Sequence, residues 1–201
     1  HFFDPGQPDW NWDNEEVRAE FDRILRFWFD RGVDGFRVDV ADALVKDMSL
    51  PDVPIDPRTG RGTLDKSIDN PMWNQPGLAE VQRRWRAVAA EYADTPGGER
   101  VFVAEAYLPH DRLVQFLTPD RLQMSFDFEF LQSAWDADSL RWVIDGCLAA
   151  HARTGSSNDE QAPGLGSMDD VARPRGGEHV DASTATWVIG NHDVIRPATR
   201  Y

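Results

Sequence analysis

The sequence predicts an α/β protein with about four parallel strands and intervening helices, close to half of an eight-stranded (β/α)8 TIM barrel. Two observations support this prediction. Stretches with helical periodicity alternate with short strand-like stretches, and irregular connections rich in Gly, Pro and Asp separate them. Four strands tilted for a barrel cannot close it and would leave two edges unpaired. We therefore expect the chain to be part of a longer sequence.

The first predicted helix follows a capping-box pair, Asp13 and Glu16, and is expected to stop at Gly32. Its apolar residues share one stripe at helical spacing. They are Val17, Phe21, Ile24, Leu25 and Trp28. We expect this stripe, including Trp28, to pack in the core.

A strand over residues 33–40 comes next, with Phe36 and Val38 on one face and Arg37 and Asp39 on the other. The later elements continue the alternation of helix and strand. They are a helix over 77–92, a strand over 101–104, a short helix over 111–117, a strand over 122–128, a helix over 139–150 and a strand over 184–189.

Composition limits the partners of the chain. Its 201 residues are 41% hydrophobic and include eight tryptophans, so a packed core is expected. The formal net charge of −14 disfavours nucleic acid as a partner, and no apolar run reaches the roughly 18 residues that a membrane span requires. The single cysteine, Cys147, favours a cytoplasmic location and is expected to be a buried hydrophobic residue.

Two stretches lack regular periodicity. Residues 46–76 follow a predicted strand, and in a parallel barrel such a connection lies on the face that binds substrate. We expect this stretch to shape the substrate entrance. Residues 154–183 precede a strand instead, so we expect a mobile insertion on the opposite face.

Acidic residues follow three of the predicted strands. Asp39, Glu105 and Asp193 each come at or just after a strand, with Arg37 beside the first and His192 beside the third. A single carboxylate at such a position is commonly a helix cap or a solvated loop residue. Because the ends of parallel strands meet at one rim, three together predict a site.

Clustered carboxylates suit the cleavage of glycosidic bonds, because one can act as a protonated acid while another, ionised, attacks carbon. Metal binding is the competing use of such a cluster. Arg37 argues against metal binding, since its charge would repel a dication and compete for Asp39. We therefore predict no metal ligand among these residues.

Four ordered motifs resemble the α-amylase family of glycoside hydrolases. Residues 35–39 (GFRVD), 102–106 (FVAEA) and 188–193 (VIGNHD) are similar to its signature regions around the nucleophile, the acid/base and the transition-state stabiliser. Residues 7–11 (QPDWN) resemble a further signature near the end of the domain inserted after the third barrel strand. The resemblance covers essentially the whole chain.

The resemblance implies a role for each site residue. Asp39 would be the nucleophile of a retaining mechanism with a covalent glucosyl-enzyme intermediate, and Glu105 would be the general acid and base. Asp193 would stabilise the transition state, His192 would bind the sugar, and Arg37 would orient Asp39. The strands would then be roughly the fourth to the seventh of the barrel, with residues 1–12 as the tail of the inserted domain and 13–201 as an incomplete catalytic barrel.

Departures from the family pattern indicate a subgroup. Starch-degrading members carry a Lys-His pair where this chain has Asp42 and Ala43, so a long polymer is disfavoured. Gln7-Pro8-Asp9 resembles the branch that acts on oligosaccharides. Val40 is associated with α-1,6 linkages, yet residues 191–201 are similar to actinobacterial-type α-glucosidases that act on α-1,4 bonds. Both linkages therefore stay open.

We accordingly expect a retaining α-glucosidase acting on a small oligosaccharide such as maltose or isomaltose. The alternatives are a trehalose synthase or another glucosyl transferase of the family, a catalytically silent homologue, and a sugar-binding module that uses Trp10, Trp12 and Trp73. The family's first signature and the eighth strand have no counterpart here, so the chain alone is expected to be inactive. No cofactor is expected, although calcium is an option in the remainder of the complete protein.

Overall fold

The computed structural model describes residues 3–58, 60–63, 69–154 and 185–201. A parallel sheet contains the four strands β1 (Gly35–Val38), β4 (Val101–Ala104), β5 (Met124–Asp127) and β6 (Ala185–Trp187), adjacent in that order. A separate antiparallel pair is formed by β2 (Ile55–Asp56) and β3 (Arg61–Gly62). The prediction of about four parallel strands is confirmed.

Helices connect these strands, as a barrel segment requires. In chain order they are α1 (Glu15–Phe29), α2 (Leu78–Ala90), α3 (His110–Leu113), α4 (Phe128–Gln132), α5 (Ala137–Thr154) and α6 (Pro197–Arg200), with a 3-10 turn over Val114–Phe116. The predicted insertion over 154–183 falls almost wholly outside the described residues. Within the part of the chain that the structure describes, no helix combines the length and apolarity needed to cross a bilayer.

The start of α1 differs from the sequence prediction. Its N-cap is Asn14, whose side chain accepts a hydrogen bond from the backbone N–H of Glu16 at 2.9 Å. The capping box of Asp13 and Glu16 was therefore wrong by one residue. Asp13 instead belongs to the preceding turn, where its own N–H donates to Asn11 Oδ1 at 3.0 Å.

The strand predicted over 33–40 is shorter, because it ends at Val38. Val40 has a φ of 44°, a left-handed conformation that no strand can contain. The strand predicted over 122–128 likewise ends at Asp127, whose side chain accepts from the N–H of Phe130 and so begins α4. The first strand therefore ends at the turn made by Val40, and the other ends where Asp127 caps α4.

The core lies between the sheet and the helices. Its largest buried side chains include Phe29, Phe102 and Trp85, which confirms the prediction for Trp85. Trp28 is 44% exposed, so its predicted burial was wrong. The buried face of α1 runs through Asp22, Leu25 and Phe29, one turn apart, and Trp28 lies about 100° around the helix from Phe29.

Trp12 packs in this same core, 5.5 Å from Trp85 and 4.6 Å from Phe21 between ring centroids. The aromatic contacts bind the N-terminal segment to α1 and α2. The division into 1–12 and 13–201 stays a prediction.

Two close contacts hold the elements in register. A Cβ at Gly35 would lie 2.1 Å from the carbonyl oxygen of Val101, so only glycine lets β1 approach β4 this closely. Between α1 and α2, Arg84 donates from Nε to Asp22 Oδ2 and from Nη1 to Glu15 Oε1, each at 2.6 Å. Asp22 is buried, and this ion pair supplies a partner for its charge.

Candidate active site

Strand pairing places Asp39 and Glu105 next to each other. Val38 is paired with Ala104 in the parallel β1–β4 register, so the residues that follow leave the sheet side by side. Backbone hydrogen bonds continue this pairing beyond the strands. The N–H of Glu105 donates to the carbonyl of Val38 at 2.9 Å, and the N–H of Ala41 donates to the carbonyl of Glu105 at 2.8 Å.

One guanidinium group lies between the two carboxylates. Arg37 Nη1 donates to Asp39 Oδ1 at 2.6 Å, and Arg37 Nη2 is 3.9 Å from Glu105 Oε2. Arg37 and Asp39 point to the same side of β1, as their spacing of two residues predicts. The structure therefore brings together the three predicted residues of the first two strands.

The two carboxylates have different surroundings. The side chain of Asp39 is 71% exposed, whereas that of Glu105 is 9% exposed. Glu105 Oε2 accepts a hydrogen bond of 2.6 Å from the backbone N–H of Val40. An accessible carboxylate and a buried, fixed one suit two different chemical roles at one site.

The loop after β6 carries Asn191, His192 and Asp193. The backbone N–H of Asp193 donates to Asn191 Oδ1 at 3.0 Å, and Asn191 Nδ2 donates to the hydroxyl of Tyr107 at 2.9 Å. His192 Nε2 lies 3.5 Å from Asp193 Oδ1, with both side chains exposed. A hydrogen bond between side chains thus joins this loop to the segment that follows Glu105.

Tyr107 lies within electrostatic reach of both Asp193 and Glu105. Burial raises the pKa of its hydroxyl, the hydrogen bond from Asn191 opposes that rise, and the negative charges of Glu105 and Asp193 add to it. Both acidic groups therefore act on one hydroxyl. The ring of Tyr107 stacks on Phe128 with 4.0 Å between centroids. The sequence analysis missed Tyr107, although its place two residues after Glu105 was an available signal.

The connection after β1 contacts the N-terminal segment. Lys46 Nζ forms an ion pair with Asp9 Oδ1 at 3.1 Å. A cavity of about 430 Å³ opens beside these two residues and includes Arg37 and Asp39 in its lining. Lys46, the first residue of the 46–76 stretch, thus lies beside the candidate site. The role of this stretch in shaping a substrate entrance stays a prediction.

Several residues considered for sugar contact are buried. Asp42 and Ala43 are 0% and 3% exposed, so neither side chain presents a surface to a polymer. Trp12 and Trp73 are also buried, which contradicts their suggested role as exposed sugar-binding residues. Trp10 alone of that trio is exposed.

The described residues contain one group of side chains suited to a metal ion. It comprises His110, Asp127 and Cys147. Arg37 fills the space between Asp39 and Glu105 and so disfavours a cation there. The sequence analysis missed the group of His110, Asp127 and Cys147, because these three residues are spread over 38 positions without a motif.

The whole chain, residues 1–201, matches the family model described as the catalytic domain of alpha amylase. Maltase A2 of Drosophila melanogaster is 30% identical over 214 aligned positions, which cover 100% of this chain and 32% of that protein. An oligo-1,6-glucosidase of Heyndrickxia coagulans is 33% identical over 65% of this chain and 22% of its own length.

Among solved structures, an alpha-glucosyl transfer enzyme superposes with a TM-score of 0.60 and 30% identity. The match covers 75% of this chain and 29% of that enzyme. The chain spans about a third of the length of the curated relatives it matches.

Proposed function

The chain belongs to the α-amylase family of glycoside hydrolases, and from this membership we propose that the complete protein is a retaining α-glucosidase. Its substrates would be the terminal α-glucosidic bonds of short gluco-oligosaccharides. Relatives named maltase and oligo-1,6-glucosidase support this substrate class. The presence of Asp42 and Ala43 where starch-degrading members carry a Lys-His pair supports a short substrate rather than a polymer.

The observation that carries the proposal is the placement of Arg37 between Asp39 and Glu105. In the first step, Asp39 attacks the anomeric carbon and forms a covalent glucosyl ester, while Glu105 gives its proton to the departing glycosidic oxygen. In the second step, Glu105 takes a proton from water, which attacks the same carbon and releases Asp39. The exposure of Asp39 and the burial of Glu105 suit these two roles.

Asp193 and His192 would stabilise the positively charged sugar ring of the transition state through its hydroxyl groups. The hydrogen bond between Asn191 and Tyr107 supports this assignment, because it joins the Asp193 loop to the Glu105 segment. We also propose a cytoplasmic location, since the chain contains a single cysteine.

The test is hydrolysis of nitrophenyl α-glucoside by the complete protein and by its Asp39→Asn variant. We expect the variant to lose at least about a thousandfold in kcat, because an amide cannot form the ester intermediate. Asp94→Asn is a matched control at an exposed residue and is expected to retain full activity. An Asp39→Asn variant as active as the control would contradict the proposed nucleophile.

Transfer of glucose to another sugar is the second candidate function. The structural similarity to an alpha-glucosyl transfer enzyme favours it. Both reactions share the glucosyl ester, and the acceptor decides the product. Incubation with maltose alone separates them. Glucose as the only product, at two molecules per maltose consumed, supports hydrolysis, while trehalose or longer glucosides would replace the first proposal by the second.

A further inference from the structure

A second group of reactive side chains lies among α3, β5 and α5. None of its members belongs to the candidate active site. His110 begins α3, Asp127 ends β5, and Cys147 lies in α5. The three residues are 3%, 2% and 1% exposed. One donor atom from each lies within 4.8 Å of the other two. The fold thus brings a nitrogen, an oxygen and a sulfur from three elements to one buried point.

The ring of His110 has a carboxylate beside each of its nitrogens. Its Nε2 lies 3.1 Å from Asp127 Oδ2, on the side of the group. Its Nδ1 lies on the other side of the ring, 3.7 Å from Glu129 Oε2, and Glu129 Oε1 also accepts from the backbone N–H of His110 at 3.2 Å. Histidines that bind metals usually present one ring nitrogen to the ion and the other to a carboxylate or carbonyl.

Asp127 is held in a similar way. Its Oδ1 accepts a hydrogen bond of 3.0 Å from the backbone N–H of Phe130. Its Oδ2 is therefore the oxygen directed at His110. Carboxylates that bind metals are commonly fixed by such an additional hydrogen bond. The contacts of Glu129 with His110 and of Phe130 with Asp127 both come from α4. They are therefore present without an ion.

We propose that His110, Asp127 and Cys147 bind a zinc ion that joins α3 and α5 to the end of β5. Imidazole, carboxylate and thiolate are the donors that zinc takes in proteins. Donor atoms in a tetrahedral zinc site lie roughly 3.3–3.8 Å apart, as follows from the usual zinc–ligand distances. His110 Nε2 and Asp127 Oδ2 are 3.1 Å apart and no pair of donor atoms is more than 4.8 Å apart. Displacements of up to about 1 Å would bring all three pairs into that range.

Charge balance favours a divalent ion at this buried position. A thiolate, a carboxylate and a neutral imidazole together carry two negative charges, which a zinc ion neutralises. Binding releases the thiol proton of Cys147 and any proton on the ring nitrogen of His110 that faces the ion. The neutral complex avoids the cost of a net charge in the core.

His151 could take the fourth position only after a movement of its ring, because it is not among the side chains whose donor atoms lie within 4.8 Å of one another. It follows Cys147 by four residues in α5, so the two lie on the same face of the helix. His151 is buried, and it lies within electrostatic range of His110 and Asp127. A water molecule in the fourth position is the other way to complete the tetrahedron.

A purely structural hydrogen-bonded group is the competing explanation. In that arrangement the thiol of Cys147 donates to Asp127, and His110 pairs with the same carboxylate. Spectroscopy of the bound metal separates the two explanations, because only a metal site gives a sulfur–metal bond.

The experiment titrates the chelator-treated complete protein with cobalt(II) as a spectroscopic substitute for zinc. We expect one ion per chain and a thiolate-to-cobalt charge-transfer absorption in the near ultraviolet. Cys147→Ser, which keeps the size of the side chain, should abolish that absorption and the rise in Tm that zinc causes in the wild type. His192→Asn, which removes an exposed histidine, should change neither.

A missing charge-transfer band, or a band that persists in Cys147→Ser, would overturn the proposal. A rise in Tm with zinc that is equal in the wild type and in Cys147→Ser would also overturn it. X-ray absorption at the zinc edge of the wild type covers the case in which Cys147→Ser fails to fold. One sulfur at about 2.3 Å is expected there, and a shell of only nitrogen and oxygen would reject the site. Neither readout depends on glucosidase activity.

Discussion

The backbone N–H of Val40 donates to Glu105 Oε2 at 2.6 Å, and Val40 itself has a φ of 44°. A β-branched residue in this conformation carries strain of about 1–3 kcal/mol. The neighbouring backbone bonds of Glu105, to Val38 and from Ala41, hold the turn in place. The strained residue is therefore the one that orients the buried carboxylate of the proposed acid.

Substitution of Val40 tests this relationship. Val40→Pro removes the N–H and restricts φ to about −65°, so we expect kcat/KM on nitrophenyl α-glucoside to fall by roughly ten- to a hundredfold, the value of one hydrogen bond to a charged group. Val40→Gly keeps the N–H and adopts positive φ without strain. The glycine variant should be clearly the more active of the two. Equal losses in both variants would contradict a role for the N–H.

Arg37 is expected to be sensitive to conservative replacement. Arg37→Leu removes the cation that contacts Asp39 and lies near Glu105, and we expect kcat to fall by roughly a hundredfold or more. Arg37→Lys keeps the charge but cannot reach two carboxylates with a planar group, so an intermediate loss is expected. Steady-state kinetics of both variants check the order. A lysine variant with full activity would show that charge alone is enough.

Tyr107→Phe separates the hydroxyl from the ring. The ring stacking on Phe128 is retained, so the variant should fold with an unchanged Tm. The hydroxyl that accepts from Asn191 is lost, and a fall of roughly three- to tenfold in kcat/KM is expected from one neutral hydrogen bond. An unchanged kcat/KM would mean that the Asp193 loop is positioned without Tyr107.

Arg84→Met tests the contact between α1 and α2. The variant leaves the buried carboxylate of Asp22 without this partner, and we expect the free energy of unfolding to fall by about 1–3 kcal/mol. Arg83→Met is the matched control on the same helix. Its partner Asp120 is as exposed as Arg83 itself, so the loss in stability should be much smaller than that of Arg84→Met. Urea denaturation of the two variants measures the difference.

Glu91 gives a pH dependence of known sign. Its hydrogen bond from Arg26 lowers the pKa of the Glu91 carboxyl below its usual value of 4.5. The resulting stabilisation is present above the pKa of the unfolded chain and disappears as the pH falls through the lowered value. Because both side chains are nearly half exposed, Glu91→Gln should cost well under about 1 kcal/mol at pH 7. The urea midpoints of the wild type and of Glu91→Gln should differ at pH 7 and should approach each other as the pH falls through the lowered pKa of Glu91.

The strand order could be predicted from sequence because consecutive strands joined by helices tend to be neighbours in a parallel sheet. The face of β1 that carries Arg37 and Asp39 could be predicted because side chains alternate with a period of two. Phe36 and Val38 alternate with Arg37 and Asp39 whatever the neighbouring segments do. The break at Val40 could not be predicted, since valine favours strands and its left-handed φ is imposed by contacts with a segment 65 residues away.

Other differences have equally local causes. Asn14 and Asp13 are both good N-caps, and only the path of the chain decides between them. Val17, Phe21 and Leu25 of the predicted stripe do pack on the core, but at the end of α1 the buried position is taken by Phe29 and not by Trp28. The group of His110, Asp127 and Cys147 depends on how α3 and α5 pack beside β5, which no spacing in the sequence encodes.

The contact between Gly35 and Val101 has a consequence for the opposite end of the sheet. The first residue of β1 touches the backbone of β4, while Asp39 and Glu105 follow the last residues of the same two strands. A methyl group at position 35 would push β1 and β4 apart at their first residues. We expect this shift to change the distance between the carboxylates of Asp39 and Glu105, which follow the last residues of the two strands. Gly35→Ala should therefore impair turnover, although position 35 lies at the end of β1 opposite to Asp39.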